Sequence, residues 1–251
     1  ENLENIWNKN KLENSILSAD TFLLIINNLD DILIEKNKNK LIKFLVEWEK
    51  LFNIHNLPAE STWMDTLNRT RAIEIDFLYY NTLRKLGLVE KSAEFKMILK
   101  SNIFLKIYPE NELYSPNLFI GYFLAKEFFE EYEWLSFFDI IIRKFYLRWG
   151  GFSTKSIDDP EFYKFHTGED PKSYHSGDSW FWINNLGAYI LQNLSYRKYE
   201  QYINKIKEAS FKNLFSMGVL GYMSELSSAE DLRYEGSPIQ LWSLSSLYLL
   251  L

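Results

Sequence analysis

Carboxylates set among aromatic rings are the reactive material of this chain. Asp65 follows Trp63 and Met64 in a loop-like stretch. A carboxyl lying against an indole is desolvated, which raises its pKa and keeps a proton in place near neutral pH. Glu225 stands between Ser224 and Leu226, in a segment flanked by glycines and Tyr222, where it could act as a base toward water. Glu74 and Asp76 sit among Ile73, Ile75, Phe77, Leu78 and Tyr79. Charges embedded in such a run need partners, which Arg69, Arg71 or a ligand hydroxyl would supply. For Glu74 an internal salt bridge is the plain alternative. Residues 174–182 read Tyr174-His175-Ser176-Gly177-Asp178-Ser179-Trp180-Phe181-Trp182. Flat apolar faces edged with O–H and N–H donors suit sugar rings; the plain alternative is a loop-to-helix junction packed by tryptophans. In that stretch Gly177 permits a tight turn, and Asp178 or Ser179 would cap the following helix.

Other chemistries find little to work with. His55, His166 and His175 are far apart in sequence, there is no H-E-x-x-H and no Cys, so neither a metal ligand set nor a thiolate is expected. No Gly-rich phosphate loop and no G-x-S-x-G occur, and no cofactor is expected. The net charge of −6 and the absence of a basic stripe argue against a nucleic-acid partner. No apolar run reaches the ~18 residues of a membrane span, so no membrane partner is expected either. The lack of Cys and of a signal peptide points to the cytoplasm. The chain begins at Glu1, which reads as a piece cut from a longer protein.

The elements that must position these residues are helices. Residues 1–17 are polar and Asn-rich and read as a lead-in. Ser18 looks like the N-cap of a helix to about 36, followed by a short Asn/Lys turn and a second helix over 39–55. Further helices are expected over 71–87, 90–106, 117–131, 134–148, 179–194 and 197–216, and from Pro238 to the end. The irregular stretch 150–178 holds seven aromatic or His residues and is expected to be an ordered binding loop. Helices in pairs, with short turns alternating with long decorated ones, predict an all-α toroid of α-hairpins in one domain over 1–251.

Several short segments, in order, resemble the amylo-α-1,6-glucosidase domain of glycogen debranching enzymes. They are Ala19-Asp20-Thr21-Phe22-Leu23, Thr62-Trp63-Met64-Asp65, Ile73-Glu74-Ile75 with Tyr80-Asn81-Thr82-Leu83, and Ser115-Pro116-Asn117. Tyr174-His175-x-Gly177-x-x-Trp180-x-Trp182, Ser224-Glu225-Leu226 and Gly236-Ser237-Pro238-Ile239-Gln240-Leu241-Trp242-Ser243 complete the set. The resemblance implies an (α/α)6 barrel, here without its first helices, and hydrolysis with inversion of α-1,6-linked glucose at the branch points of an α-glucan such as glycogen or limit dextrin. It implies Asp65 as general acid and Glu225 as general base. Asp20, Trp63, Glu74, Tyr174, His175, Trp180, Trp182 and Gln240 would line the glucose pocket. Family members carry a Trp-Gly-Arg-Asp stretch on an earlier helix pair, so the missing N-terminal part of its own chain is an expected partner. Alternative readings are a glucoamylase-like or trehalase-like (α/α)6 glucosidase, a catalytically inactive carbohydrate-binding relic, or a structural helical toroid that binds proteins.

Overall fold

The computed structural model describes residues 18–54, 56–59 and 61–251; the lead-in expected over 1–17 and His55 lie outside them. The expectation of an all-α protein holds: helices dominate, and the sheet among the described residues is one short two-stranded ladder. The chain forms two compact units, Glu1–Tyr108 and Pro109–Leu251. No described helix is long and apolar enough to cross a membrane.

The first unit holds α1 (Ala19–Asn28), α2 (Asp31–Leu51), α3 (Ile73–Lys85) and α4 (Val89–Phe104). Ser18 stands at the N-cap position of α1, as expected, but its side chain makes no capping hydrogen bond; its hydroxyl is 2.5 Å from the Asp20 carboxylate. The first helix also ends earlier than the sequence suggests. Asp30 accepts the Leu33 N–H at 2.7 Å and starts a new helix there. The Asn/Lys stretch expected as a turn lies within α2. That helix buries Ile34, Leu41, Phe44, Leu45 and Trp48, a helical stripe. α1 packs on α3. Lys85 of α3 gives its ammonium to the carbonyls of Asn27 and Leu29, both at 2.8 Å, closing the C-terminal end of α1.

The second unit holds α5 (Glu110–Leu113), α6 (Leu118–Ala125), a 3-10 turn over Lys126–Phe128, α7 (Glu131–Phe145), α8 (Phe181–Ser216), α9 (Leu241–Leu247) and a 3-10 turn over Tyr248–Leu250. Glu130 and Glu133 make the capping box of α7. α8 comprises the two helices expected over 179–194 and 197–216, which meet at Ser195, where the backbone is not helical (φ −162°, ψ 82°). The final helix starts at Leu241, not at Pro238. Phe119 of α6, Phe138 of α7 and Phe152 of the following loop meet with ring centroids 4.9 and 5.1 Å apart. Asn184 of α8 accepts the Phe152 N–H at 2.8 Å, which ties that loop to the helix.

The strand β1 (Ser179–Trp180) pairs antiparallel with β2 (Leu226–Ser227), Trp180 opposite Leu226. This ladder brings the end of the long irregular stretch alongside the segment that carries Glu225.

Candidate active site

In the second unit two uninterrupted buried runs converge, Ser173–Trp180 and Met223–Ala229. Glu225 lies in the latter and is 5% exposed. One carboxylate oxygen accepts the Ser237 N–H at 3.0 Å, and the other accepts Nε2–H of Gln240 at 3.0 Å. Its carbonyl takes the Phe181 N–H at 3.3 Å and the Ser243 hydroxyl at 3.2 Å. Asn213 of α8 grips the preceding Ser224 through N–H and hydroxyl, each at 3.0 Å. Gly236 leaves no room for error here. Its φ is +69°, and a Cβ at that position would lie 2.6 Å from the Glu225 carboxylate. Both oxygens of Glu225 are therefore fixed by N–H donors, and the side chain has one place to be.

Beside it runs a ladder of rings. His175 stacks on Trp180 with centroids 5.0 Å apart and planes 7° from parallel. Tyr174 meets Trp180 edge-on at 4.8 Å, and Trp242 meets it edge-on at 5.7 Å. Trp242 in turn stacks on Trp182 at 5.8 Å. Tyr174, His175 and Trp180 are buried, while Trp182 and Trp242 are partly open. The Trp180 indole N–H donates to the Tyr174 carbonyl at 2.9 Å. The three inner rings thus form a packed wall, and Trp182 and Trp242 are the faces open to a ligand. Trp242 was quoted in the sequence only as part of a motif; its Trp-after-Gln-Leu spacing on α9 is the signal that places it here. Gly177 serves close approach and not a positive φ: a Cβ there would sit 1.8 Å from the Tyr163 carbonyl oxygen. Neither Asp178 nor Ser179 caps α8, whose N-cap position falls on Trp180. Asp178 turns instead to His166, at 2.7 Å, and to the Ser173 hydroxyl, at 2.9 Å.

In the first unit Asp20, Trp63 and Glu74 come together. The Trp63 backbone N–H donates to the Asp20 carboxylate, and Glu74 is near enough to act on it electrostatically. Burial, reinforced by Glu74, pushes the Asp20 carboxyl above its ordinary range, while the Ser18 hydroxyl and the Trp63 and Thr21 N–H groups oppose that shift. Glu74 is 1% exposed, and both its oxygens face the Arg69 guanidinium, Nη2 to Oε2 at 3.0 Å. The internal ion pair expected as the plain alternative for Glu74 is present. Asp65, two residues beyond Trp63, is exposed. The desolvation against indole expected for its carboxyl is therefore absent, because the turn over 61–66 carries it outward while Met64 turns in.

Asp76 lies deeper still. It is 2% exposed and takes the Tyr108 hydroxyl. Burial raises its pKa to about 7; the Tyr108 hydrogen bond and Arg71 pull it down, and Glu74 pushes it up. The folded state thus binds this proton more tightly than the unfolded chain does. The stability it contributes is complete below about pH 4 and is lost as pH rises through about 7. Asp76→Asn keeps an acceptor for Tyr108 and removes the titration. Its Tm, followed from pH 4 to 7, is expected to fall less than that of the parent chain, by a few degrees. Parallel curves for the two proteins would refute the assignment.

No curated protein matches the chain in sequence. The family model for amylo-alpha-1,6-glucosidase matches residues 105–249, more than half of the 251-residue chain, and takes in Glu225, Gln240 and the whole aromatic ladder. With more than half of its length inside that match, the chain belongs to the amylo-alpha-1,6-glucosidase family.

Proposed function

We propose that the chain hydrolyses α-1,6-linked glucose at branch points of an α-glucan, with inversion at the anomeric carbon. The observation that carries this reading is the setting of Glu225: a buried carboxylate held by two N–H donors, with its carbonyl bound by the Phe181 N–H that immediately precedes Trp182. A base must be fixed before it can take a proton from a water aimed at one carbon. In this reading Asp65 gives its proton to the glycosidic oxygen as the C–O bond breaks. Glu225 removes a proton from the water that attacks the opposite face of the ring, and free β-glucose leaves. An inverting mechanism needs its acid and base roughly 6.5–9.5 Å apart, the separation that leaves room for the water. The α-glucan is the sole substrate class required. Exposure of Asp65 in its loop suits an acid that must reach a substrate oxygen.

The test is proton NMR of a branched limit dextrin incubated with the protein. Glucose appearing first as the β-anomer is the expected result. Release of the α-anomer would remove the inverting mechanism. Activity on maltose or trehalose in place of the dextrin would turn the assignment to a glucoamylase-like or trehalase-like enzyme. Dextrin binding without turnover would leave a carbohydrate-binding relic.

A further inference from the structure

Asp178, two residues before the strand partner of Leu226, is fully buried, with 0% exposure. Its bonds are one-sided. Oδ2 accepts both Nδ1–H of His166 (2.7 Å) and the Ser173 hydroxyl (2.9 Å), whereas Oδ1 is buried with no hydrogen-bond donor among the described residues. The main chain of Asp178 is tied as firmly. Its N–H donates to the Ser173 carbonyl at 2.9 Å, and its carbonyl accepts the Thr154 N–H at 3.2 Å. Ser173 also accepts the Thr167 N–H at 2.9 Å, and the Thr154 hydroxyl accepts the Gly177 N–H at 3.0 Å. One residue therefore gathers pieces of an irregular stretch that has no helix or strand ladder of its own to hold it: the Asp178 side chain holds His166 and Ser173, and its main chain holds Thr154 and Ser173. The next two residues are β1, which pairs with the strand just after Glu225, and Phe181 then donates its N–H to the Glu225 carbonyl.

We propose that Asp178 and His166 form a positioning pair for the Glu225 wall: Asp178 acts as a single-oxygen acceptor that sets β1, and through β1 sets the His175–Trp180 stack and the Glu225 main chain. His166 supplies one Nδ1–H donor to this pair and takes no part in proton transfer. Its side chain, 14% exposed, closes the outer side of the cluster. Only the kinetic arm of the test rests on the glycosidase reading above; the spectroscopic arm does not.

The one-sided geometry yields a distinctive pattern of variants. Asp178→Asn can place its carbonyl oxygen where Oδ2 lies and its amide where Oδ1 has no donor, so both hydrogen bonds survive. His166→Asn can place Nδ2 where Nδ1 lies. His166→Phe fills the space without a donor, and Asp178→Ala removes the acceptor. In the full chain, both Asn variants are expected to keep the near-UV circular dichroism of the tryptophan–tyrosine stack and to keep kcat on limit dextrin within about threefold. His166→Phe and Asp178→Ala are expected to weaken that near-UV signal, with far-UV spectra unchanged. They should lower kcat by about 10²-fold, the loss that follows a displacement of about 1 Å, with KM little altered. Should Asp178→Ala fail to fold, His166→Phe decides alone. A His166→Phe protein with the parent near-UV spectrum overturns the proposal, whether or not the parent cleaves dextrin. So does an Asp178→Asn protein as impaired as Asp178→Ala, because the charge and not the acceptor would then matter. A parent chain inactive on dextrin, with the spectroscopic pattern intact, would count against the glycosidase reading and in favour of the pair.

Discussion

Glu225→Gln is expected to lower kcat on a branched dextrin by about 10²–10⁴-fold, the usual worth of a general base, while the affinity for dextrin persists. The side chains are the same size, so the ring ladder beside them has no reason to move. What changes is the chemistry of the two oxygens. In the parent chain one accepts the Ser237 N–H and the other accepts Nε2–H of Gln240, both at 3.0 Å. An amide has one oxygen and one NH₂ group: its oxygen can keep the Ser237 N–H, and its NH₂ then needs the Gln240 amide to turn over and offer Oε1. Lost basicity and a rearranged anchor therefore act together. Gln240→Leu separates them: it removes one anchor, keeps the carboxylate and should reduce kcat by far less than Glu225→Gln does. Steady-state kinetics with calorimetric dextrin binding reads both quantities. A Glu225→Gln protein with more than a tenth of the parent kcat would end the role of Glu225 as base.

The contrast between what the sequence disclosed and what it hid follows from distance along the chain. Helical spacing and local stop signals place α3, α4 and α7 within a few residues. They err where one polar side chain overrules the period. Asp30 starts α2 by capping Leu33, which moves the break away from the Asn/Lys stretch that looks like a turn. The period does find the junction at Ser195, where φ and ψ leave the helical region between the two expected helices. The demand of buried charges for partners correctly pointed Glu74 to Arg69, five residues away. Nothing local could pair Asp178 with His166, twelve residues off in a stretch with no period. Nor could the sequence show that the turn after Trp63 carries Asp65 outward, because that depends on how Ser61–Asp65 folds against α1, where Ala19 donates its N–H to the Ser61 carbonyl at 2.5 Å.

Arg69→Met is expected to destabilise the first unit by about 3–5 kcal/mol, the usual effect of removing one member of a buried ion pair. Arg69 and Glu74 have side chains 2% and 1% exposed. Their mutual attraction does not by itself make the pair stabilising, because two charges have been taken out of water to form it. The damage in the single variant comes from what remains: a buried Glu74 carboxylate facing a thioether, with Asp20 and Asp76 close enough to repel it. The Thr62 hydroxyl also loses a donor, at 3.3 Å. The main-chain exchange between Leu57 and Arg69, 2.7 Å in each direction, does not involve the side chain and should survive, so the loop keeps its attachment. A loss of this size is a large part of the 5–15 kcal/mol that holds a typical domain folded. Arg69→Met combined with Glu74→Leu tests the cause. If the stranded charge is the source, the double variant should recover most of the stability in urea unfolding, although it lacks the ion pair altogether. If the pair's own attraction is the source, the double variant should be no better than the single one. A single variant that loses less than about 1 kcal/mol would mean that Glu74 takes up a proton or finds water, and that the cluster around Asp20 is far more open than its burial implies.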